Sequence, residues 1–385
     1  MDQIFVSENN KGWTVCGPVF QELKPCVLKY APYVKFHDFD TELKEEFLID
    51  HGKIIIISQV GDMLEMGKFK HVFKDNQDYY KQTGKKKNFF ILLTAFEYAN
   101  EEFDEFKDIL KVYFIPTFYS QYNTFIKVKE PDIKDELKFH FLSFNGRVSL
   151  LRASLFCYFY RKKLLDKSIF SFIGYNGKTT GFKQTCQQLT DRGLDYYLNQ
   201  YKFDHQTERQ IPLSEIFDMI PYRLKNDLAS RRRVQLGGHP QLADITVYNQ
   251  TFCHLVAETY KGRHPPFFTE KIFKPIAAKQ PFILFGAKHS LQFLQNIGFK
   301  TFSPWINEDY DTLDQPARFN AILDEIDRIA AMSIDELKKL KSELASIVDY
   351  NYNHFYNTLP RMYSDDISAI GKELDTLMQQ QVSYL

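Results

Sequence analysis

The sequence predicts an α/β protein made of two doubly wound, Rossmann-like domains that face a cleft, followed by C-terminal helices. Short apolar runs of strand length recur, such as KIIIIS at 53–58 and NFFILLT at 88–94. Runs of this kind are typical of parallel strands buried on both faces. Segments of helical length separate these runs, as in alternating α/β folds. A polar stretch at 127–138 divides the pattern into two successive parts.

Composition excludes several classes of protein. A chain of 385 residues accommodates two domains, and 44% hydrophobic with 25% charged residues is ordinary for a globular chain. The 49 basic and 49 acidic residues cancel, which argues against a wholly basic nucleic-acid coat but allows a local basic patch. Five scattered cysteines indicate a reducing compartment. Because we find no secretory signal and no apolar run of membrane length, we expect a cytoplasmic protein without a transmembrane segment.

The first domain is assigned to residues 1–135. The two runs already named are strands, and KVYFIP at 111–116 is a third strand that a proline ends. Between the last two strands, aromatic and aliphatic residues recur at helical spacing among acidic ones, which predicts an amphipathic helix over Glu97–Leu110. A strand, a helix and a strand of this length form a βαβ unit with a right-handed crossover.

The second domain is assigned to residues 136–310. We predict a strand at 139–144, a turn at Asn145-Gly146 and a long helix over Val148–Leu165. The remaining predicted strands are Ser168–Ile173, Thr251–Ala257, Pro281–Phe285 and Lys300–Phe302. The remaining predicted helices of this domain are Phe182–Gln200, Leu213–Ile220, Glu270–Lys279 and His289–Asn296.

The third part, residues 311–385, is predicted to be helical and to pack back on the domains. Two helices are expected near Pro316–Ala331 and Ser333–Val348. The second begins with a capping box, since Ser333 is followed three residues later by Glu336.

The start of the helix at 270 is the strongest candidate for a binding site. Thr269 stands at the N-cap position, and Glu270 and Lys271 lie in the first turn. A helix N-terminus attracts anions such as a diphosphate, and Lys271 and Lys274 add positive charge. Glu270 suits ribose hydroxyls. Pro275 is expected to kink this helix. The alternative is a capped amphipathic helix with solvated charges.

Two arginines near the start of the second domain are further candidates for a binding site. Arg147 follows the predicted Asn-Gly turn at a helix N-terminus, so its charge and the helix dipole reinforce each other. Arg152 lies about a turn and a half further along the predicted helix. The alternative for each is an arginine on a helix face.

These residues resemble a known family. The order Tyr248, Glu258, a short loop and then Thr269-Glu270-Lys271 resembles the donor-binding segment of α1,3-fucosyltransferases, and more broadly the nucleotide-sugar site of GT-B glycosyltransferases. FLSFNGRVSLLR at 141–152 is a second matching piece, and the resemblance covers about residues 139–305. Thr259 stands where the family has asparagine.

The resemblance implies a GT-B-like fold and an inverting transfer of a sugar, of the hexosyl or fucosyl type, from a GDP- or UDP-sugar. Tyr248, Glu258 and the candidates named above would bind the donor, and Arg147 or Arg152 its diphosphate. The acceptor, expected to be a glycan, would occupy the first domain, where the general base is assigned to Glu97 because it follows a strand. No cofactor is required; a divalent metal is possible but not indicated.

Several alternatives stay open. The acceptor could be a modified nucleic acid. Gly174 to Thr179 resembles a P-loop, which would make the chain a phosphotransferase using Lys178 and Thr179, although two residues separate its glycines where a P-loop has four. A non-catalytic nucleotide-binding or scaffold protein is a third possibility. The pair Asp309 and Asp311 is a weak candidate for a metal site.

Overall fold

A computed structural model describes most of the chain. The described ranges are 34–37, 53–59, 70–94, 103–114, 136–147, 149–175, 245–258 and 268–382, with residues 23, 25, 29, 48, 49, 219, 222 and 266. The fold is α/β, with parallel sheets and C-terminal helices. Contacts divide the chain into two units. Unit 1 is Met1–Gln121 with Tyr356–Leu385, and unit 2 is Tyr122–Phe355.

The secondary structure alternates strands and helices. The strands are β1 Val34–His37, β2 Lys53–Gln59, β3 Asn88–Thr94, β4 Leu110–Phe114, β5 Phe139–Arg147, β6 Ser168–Tyr175, β7 Thr251–Ala257 and β8 Phe282–Phe285. The helices are α1 Lys70–Thr83, α2 Leu150–Arg161, α3 Ile245–Asn249, α4 Glu270–Ala277, α5 Ser290–Asn296, α6 Ala317–Ala331, α7 Ile334–Glu343, α8 Ala345–Asn353 and α9 Leu359–Val382.

The sheet of unit 1 is parallel and follows the chain in the order β1-β2-β3-β4. Alternate side chains of its central strands enter two different cores. Ile54 and Ile56 belong to one cluster, whereas Ile55 and Ile57 belong to the other. All four are buried. This two-sided burial is why the strand is an uninterrupted apolar run rather than an alternating one.

The helix α9 covers one face of this sheet. The segments that connect the strands pack on the other face. Leu48, Phe73 and Phe106 each lie in one of these segments and belong to the same cluster. When all crossovers between parallel strands are right-handed and advance in the same direction, the connecting segments pack on one face of the sheet and leave the other face uncovered. Residues of α9, among them Ile370 and Leu374, pack against that face with Ile54. The C-terminal helix is therefore part of unit 1 although it is far from it in sequence.

The sheet of unit 2 has the order β6-β5-β7-β8, and all its strands are parallel. The chain moves from β5 outward to β6 and then returns to the other side of β5 to form β7. This reversal makes the sheet doubly wound, and a crevice forms at the carboxyl ends of the two strands where the direction changes. Those strands are β5 and β7.

Most predicted strands are confirmed, and some helices are not. The strands at 88–94 and 251–257 have the predicted bounds. The helix predicted over Glu97–Leu110 is wrong within its described part, where Asp104–Phe106 form a single turn of 3-10 helix and β4 starts at Leu110. Apolar residues three apart suit a 3-10 turn as well as an α-helix, and Phe103 and Phe106 are buried in either.

The predicted turn at Asn145-Gly146 is also wrong. The strand β5 continues to Arg147, and its register against β6 shifts between Asn145 and Arg147. A glycine inside a strand often marks such an irregularity. The helix that follows begins at Leu150 with Ser149 as its N-cap.

The predicted strand at Lys300–Phe302 is wrong because a side chain takes the place of a neighbouring strand. The Asn351 side chain accepts a hydrogen bond from the Lys300 backbone N–H and donates one to the Lys300 carbonyl, both at 2.8 Å. The backbone polar groups are satisfied without a ladder.

The capping box at Ser333 is confirmed, but the helix that it starts ends at Glu343, and α8 begins at Ala345. The helix predicted over 182–200 lies outside the described residues, as do 213–220 except Met219 and residues 127–135 of the polar stretch predicted at 127–138. Across the part of the chain that is described, no helix combines the length and the apolar character needed to span a membrane.

Candidate functional site at the carboxyl ends of β5 and β7

A recess lies at the crevice where the sheet of unit 2 reverses. Phe144 of β5, His254 to Ala257 of β7, and Lys271 and Lys274 of α4 line it. It contains about 270 Å³ of space, part of which is open solvent. Because this volume includes open solvent, the recess is a partly open depression at the carboxyl ends of the strands rather than an enclosed pocket for a whole nucleotide sugar.

The first turn of α2 forms a bridge next to the recess. Ser149 Oγ accepts a hydrogen bond from the Arg152 backbone N–H, and the Arg152 guanidinium donates to the Ala257 carbonyl at 2.8 Å. Arg152 is therefore in the first turn of its helix, not a turn and a half inside it as predicted, because α2 starts later than expected. Its buried side chain connects α2 to the end of β7.

Arg147 does not start a helix either. It is the last residue of β5 and lies three positions before the first helical residue Leu150. Its backbone lies at the carboxyl edge of the sheet, which is where a diphosphate ligand would bind. The helix dipole expected beside Arg147 is that of α2, which begins only at Leu150.

A hydrogen-bonded network holds the start of α4. Both oxygens of the buried Glu258 carboxylate accept hydrogen bonds from Thr269, from its backbone N–H at 3.1 Å and from its hydroxyl at 2.6 Å. The Thr269 hydroxyl oxygen caps the helix by accepting from the Lys271 backbone N–H. The Lys271 ammonium donates to Thr269 Oγ1 and to Glu270 Oε1, each at 2.9 Å. The predicted N-cap is thus confirmed.

The two carboxylates of this network differ in their electrostatics. Burial raises the pKa of the Glu258 carboxyl, and the charge of Lys271 together with the bonds from Thr269 offsets part of this effect. Burial alone would also raise the pKa of Glu270, but the attraction of Lys271 and Lys274 outweighs it, so that this pKa is lowered. Glu270 is therefore the more firmly ionised of the two.

Lys274 is the least satisfied charged group at the site. Its side chain lines the recess and is only 6% exposed. Among the described residues its ammonium has no hydrogen-bond or ion-pair partner, in contrast to Lys271. Burial lowers the pKa of Lys274 from 10.5 to about 8, while the charges of Glu270 and Glu258 raise it and that of Lys271 lowers it. An ammonium buried in this way is costly unless a ligand compensates it.

His254 is a residue of the recess that the sequence analysis missed. It is buried in the middle of β7, where burial and the charge of Lys274 lower its pKa to about 3. The ring is therefore neutral at physiological pH, and its Nδ1 has no hydrogen-bond partner among the residues that the structure describes. The one available signal was a histidine inside an otherwise apolar strand, TFCHLVA.

Tyr248 lies away from the recess. It belongs to α3, which precedes the amino end of β7, and it packs in a core cluster with Leu142 and Ile169. Its ring centroid is 5.8 Å from that of His254. Tyr248 therefore supports a residue that lines the recess.

The structure brings together six of the predicted donor-binding residues, Thr269 and five charged ones, with one residue that was not predicted. Around the recess lie three cations and two carboxylates, an excess of one positive charge. They are Arg152, Glu258, Glu270, Lys271 and Lys274, with His254 beside them. Pro275 lies inside α4, two residues before the helix ends. Glu97, Lys178 and Thr179 lie outside the described residues, so their assigned roles stay predictions.

No metal-binding arrangement accompanies these residues. In the described ranges, no three or more histidine, cysteine, aspartate or glutamate side chains are placed to hold a metal ion. Asp311, half of the weak candidate pair, caps α5 by accepting hydrogen bonds from the backbone N–H groups of Leu291 and Gln292.

No family model, curated protein or solved structure matches this chain. What the site can do chemically therefore follows from its own geometry. Its two lysines place positive charge between the carboxyl ends of two parallel strands and the first turns of α4, a position that favours an anionic group. Positive charge fixed at this position would stabilise negative charge that develops on a leaving group.

Proposed function

We propose that the chain is a glycosyltransferase that takes a sugar from a nucleotide-diphosphate donor held in unit 2. The observation that carries the proposal is the buried ammonium of Lys274 at the point where the sheet reverses, the position at which doubly wound sheets bind their ligands. The resemblance of residues 139–305 to α1,3-fucosyltransferases supports the choice of ligand. A GT-B-like arrangement of the two units stays a prediction.

In the proposed reaction an acceptor hydroxyl attacks the anomeric carbon of the donor sugar. The new carbon–oxygen bond forms as the bond to the diphosphate breaks, and the electron pair leaves with the nucleoside diphosphate. The hydroxyl proton passes to a general base, for which Glu97 is our candidate. Arg152 and Lys274 would stabilise the charge on the leaving diphosphate. The acceptor is proposed to be a glycan.

A thermal-shift screen with GDP-, UDP- and CMP-sugars tests the proposal. A donor present at 100 times its Kd stabilises the fold by about 2.7 kcal/mol. We expect one GDP- or UDP-sugar to raise Tm, and CMP-sugars, which have a single phosphate, to leave it unchanged. Release of nucleoside diphosphate on addition of glycan acceptors should follow. The proposal is refuted if no sugar nucleotide raises Tm while ATP with Mg²⁺ does.

A further inference from the structure

We propose that Lys274, and not Lys271, is the residue whose ammonium binds the phosphate group directly, and that Lys271 instead holds the start of α4 in place. The proposal rests on the phosphate-bearing ligand of the proposed function and deepens it. The Thr-Glu-Lys motif contains Lys271 and not Lys274, so the motif alone would favour the other lysine.

Lys271 is already engaged within the protein. Two of its three ammonium donors are directed at Thr269 Oγ1 and Glu270 Oε1. It forms an ion pair with Glu270, and its charge also acts on the buried carboxylate of Glu258, which binds the same threonine. A phosphate recruited by Lys271 would have to compete with these oxygens. Lys271 is thus better suited to hold the N-cap residue Thr269 than to bind a ligand.

Lys274 has the opposite properties. Its side chain is more than nine-tenths buried, it lines the recess, and among the described residues no oxygen accepts a hydrogen bond from its ammonium. A phosphate group presents oxygens that can accept from all of its donors, and charge-assisted hydrogen bonds of this kind are strong. His254, which lines the same recess, also has a ring nitrogen, Nδ1, without a hydrogen-bond partner among the described residues.

The charged neighbours of Lys274 explain why it stays available. Glu270 lies on the same helix and is paired with Lys271. Glu258 directly follows β7 and is bound to Thr269, and His254 of β7 is neutral. On α8, which packs against α4, Asp349 pairs with Lys279. Every described carboxylate around Lys274 therefore has another partner.

The same geometry couples ligand binding to protonation. Burial lowers the pKa of Lys274 to about 8, so at pH 8.5 part of the population is neutral in the free protein. A bound phosphate stabilises the ammonium and draws a proton from the solvent. Affinity for the anion should consequently fall as the pH rises above 8, even though the phosphate itself gains charge.

Isothermal titration of the full chain with inorganic pyrophosphate tests the assignment. Lys274→Met should weaken the Kd on the order of tenfold to a hundredfold, the range expected for one charge-assisted contact. Lys271→Met should weaken it by less than about threefold while lowering Tm. Lys338→Met, an exposed lysine on α7, is the matched control and should bind as the wild type does.

Proton uptake provides a second readout that a merely structural role would not change. At pH 8.5, binding enthalpies in two buffers of different ionisation enthalpy should show uptake by the wild type. Lys274→Arg, which stays charged, should bind pyrophosphate with less uptake. The proposal is overturned if the wild type does not bind pyrophosphate, if Lys274→Met binds normally, or if Lys271→Met loses binding to the same extent.

The outcomes separate this proposal from the proposed function. Pyrophosphate binding that depends on Lys274, with no response to any sugar nucleotide, would support the phosphate site and refute the glycosyltransferase. Stabilisation by a sugar nucleotide that persists in Lys274→Met would support the glycosyltransferase and refute Lys274 as the residue that binds the phosphate. A parallel titration with nucleoside diphosphate distinguishes a nucleotide site from one for free pyrophosphate, since only the former binds the nucleotide more tightly.

Discussion

Replacing Lys274 with methionine should stabilise the ligand-free protein at neutral pH. Methionine keeps the aliphatic stem of the side chain but removes the buried charge. The fall of the pKa of Lys274 from 10.5 to about 8 corresponds to about 3 kcal/mol at 1.36 kcal/mol per pKa unit. We therefore expect Lys274→Met to raise the free energy of unfolding at pH 7 by about 3 kcal/mol while it weakens anion binding.

The effect should depend on pH in a defined window. The unfolded lysine holds its proton up to about pH 10.5, whereas the folded one loses it near pH 8. Between these values the unfolded state binds more protons, so wild-type stability rises with pH, and the methionine variant lacks this rise. The gap between variant and wild type should therefore shrink from pH 8 upward and close near pH 10.5.

Urea unfolding followed by tryptophan fluorescence measures this gap. The chain has two tryptophans, Trp13 and Trp305, and a Trp13→Phe background leaves Trp305 of unit 2 as the reporter. Lys338→Met should change stability by less than about 0.5 kcal/mol, because its side chain is exposed. A methionine variant less stable than the wild type at pH 7, or a gap that persists at pH 10.5, would contradict the reasoning.

Three further predictions concern other buried contacts. His254→Leu should reduce the loss of Tm between pH 6.5 and 3, because the unfolded histidine takes up a proton in that range and the folded one does not. Gly298→Ala should lower stability by about 2 kcal/mol or more in urea titrations, since φ is +94° and the new Cβ would lie 2.5 Å from the His354 ring. Asn351→Ala should lower the free energy of unfolding by about 2–3 kcal/mol in urea titrations, because both backbone groups of Lys300 lose their partner. For each of the three variants, an unfolding midpoint equal to that of the wild type would refute the role assigned to that contact.

The strands were predictable because burial on both faces leaves a local signature. The runs at 53–58 and 88–94 are apolar at every central position, and both faces of these strands contact a core. The cap at Thr269 was predictable for a similar reason, because the threonine hydroxyl bonds to a backbone group only two residues away.

Other elements depended on partners that are distant in sequence. The segment at Lys300 has the composition of a strand, but Asn351, 51 residues away, satisfies its backbone. The run at 103–110 has apolar spacing that fits two kinds of helix, and local spacing does not distinguish them. The helix α9 shows an amphipathic pattern, but nothing in that pattern says which sheet it covers.

The sequence by itself determined the α/β class, most strands and the residue types of the candidate site, because these depend on periodicity and on contacts within one turn. Only the tertiary structure decided the order β6-β5-β7-β8, which brings α2 and α4 to one crevice. It also distinguished two lysines three residues apart, of which Lys271 is bonded to its neighbours and Lys274 is buried without a described partner. The physical reason is that burial and hydrogen-bond satisfaction depend on neighbours brought together by folding, which residue spacing does not encode.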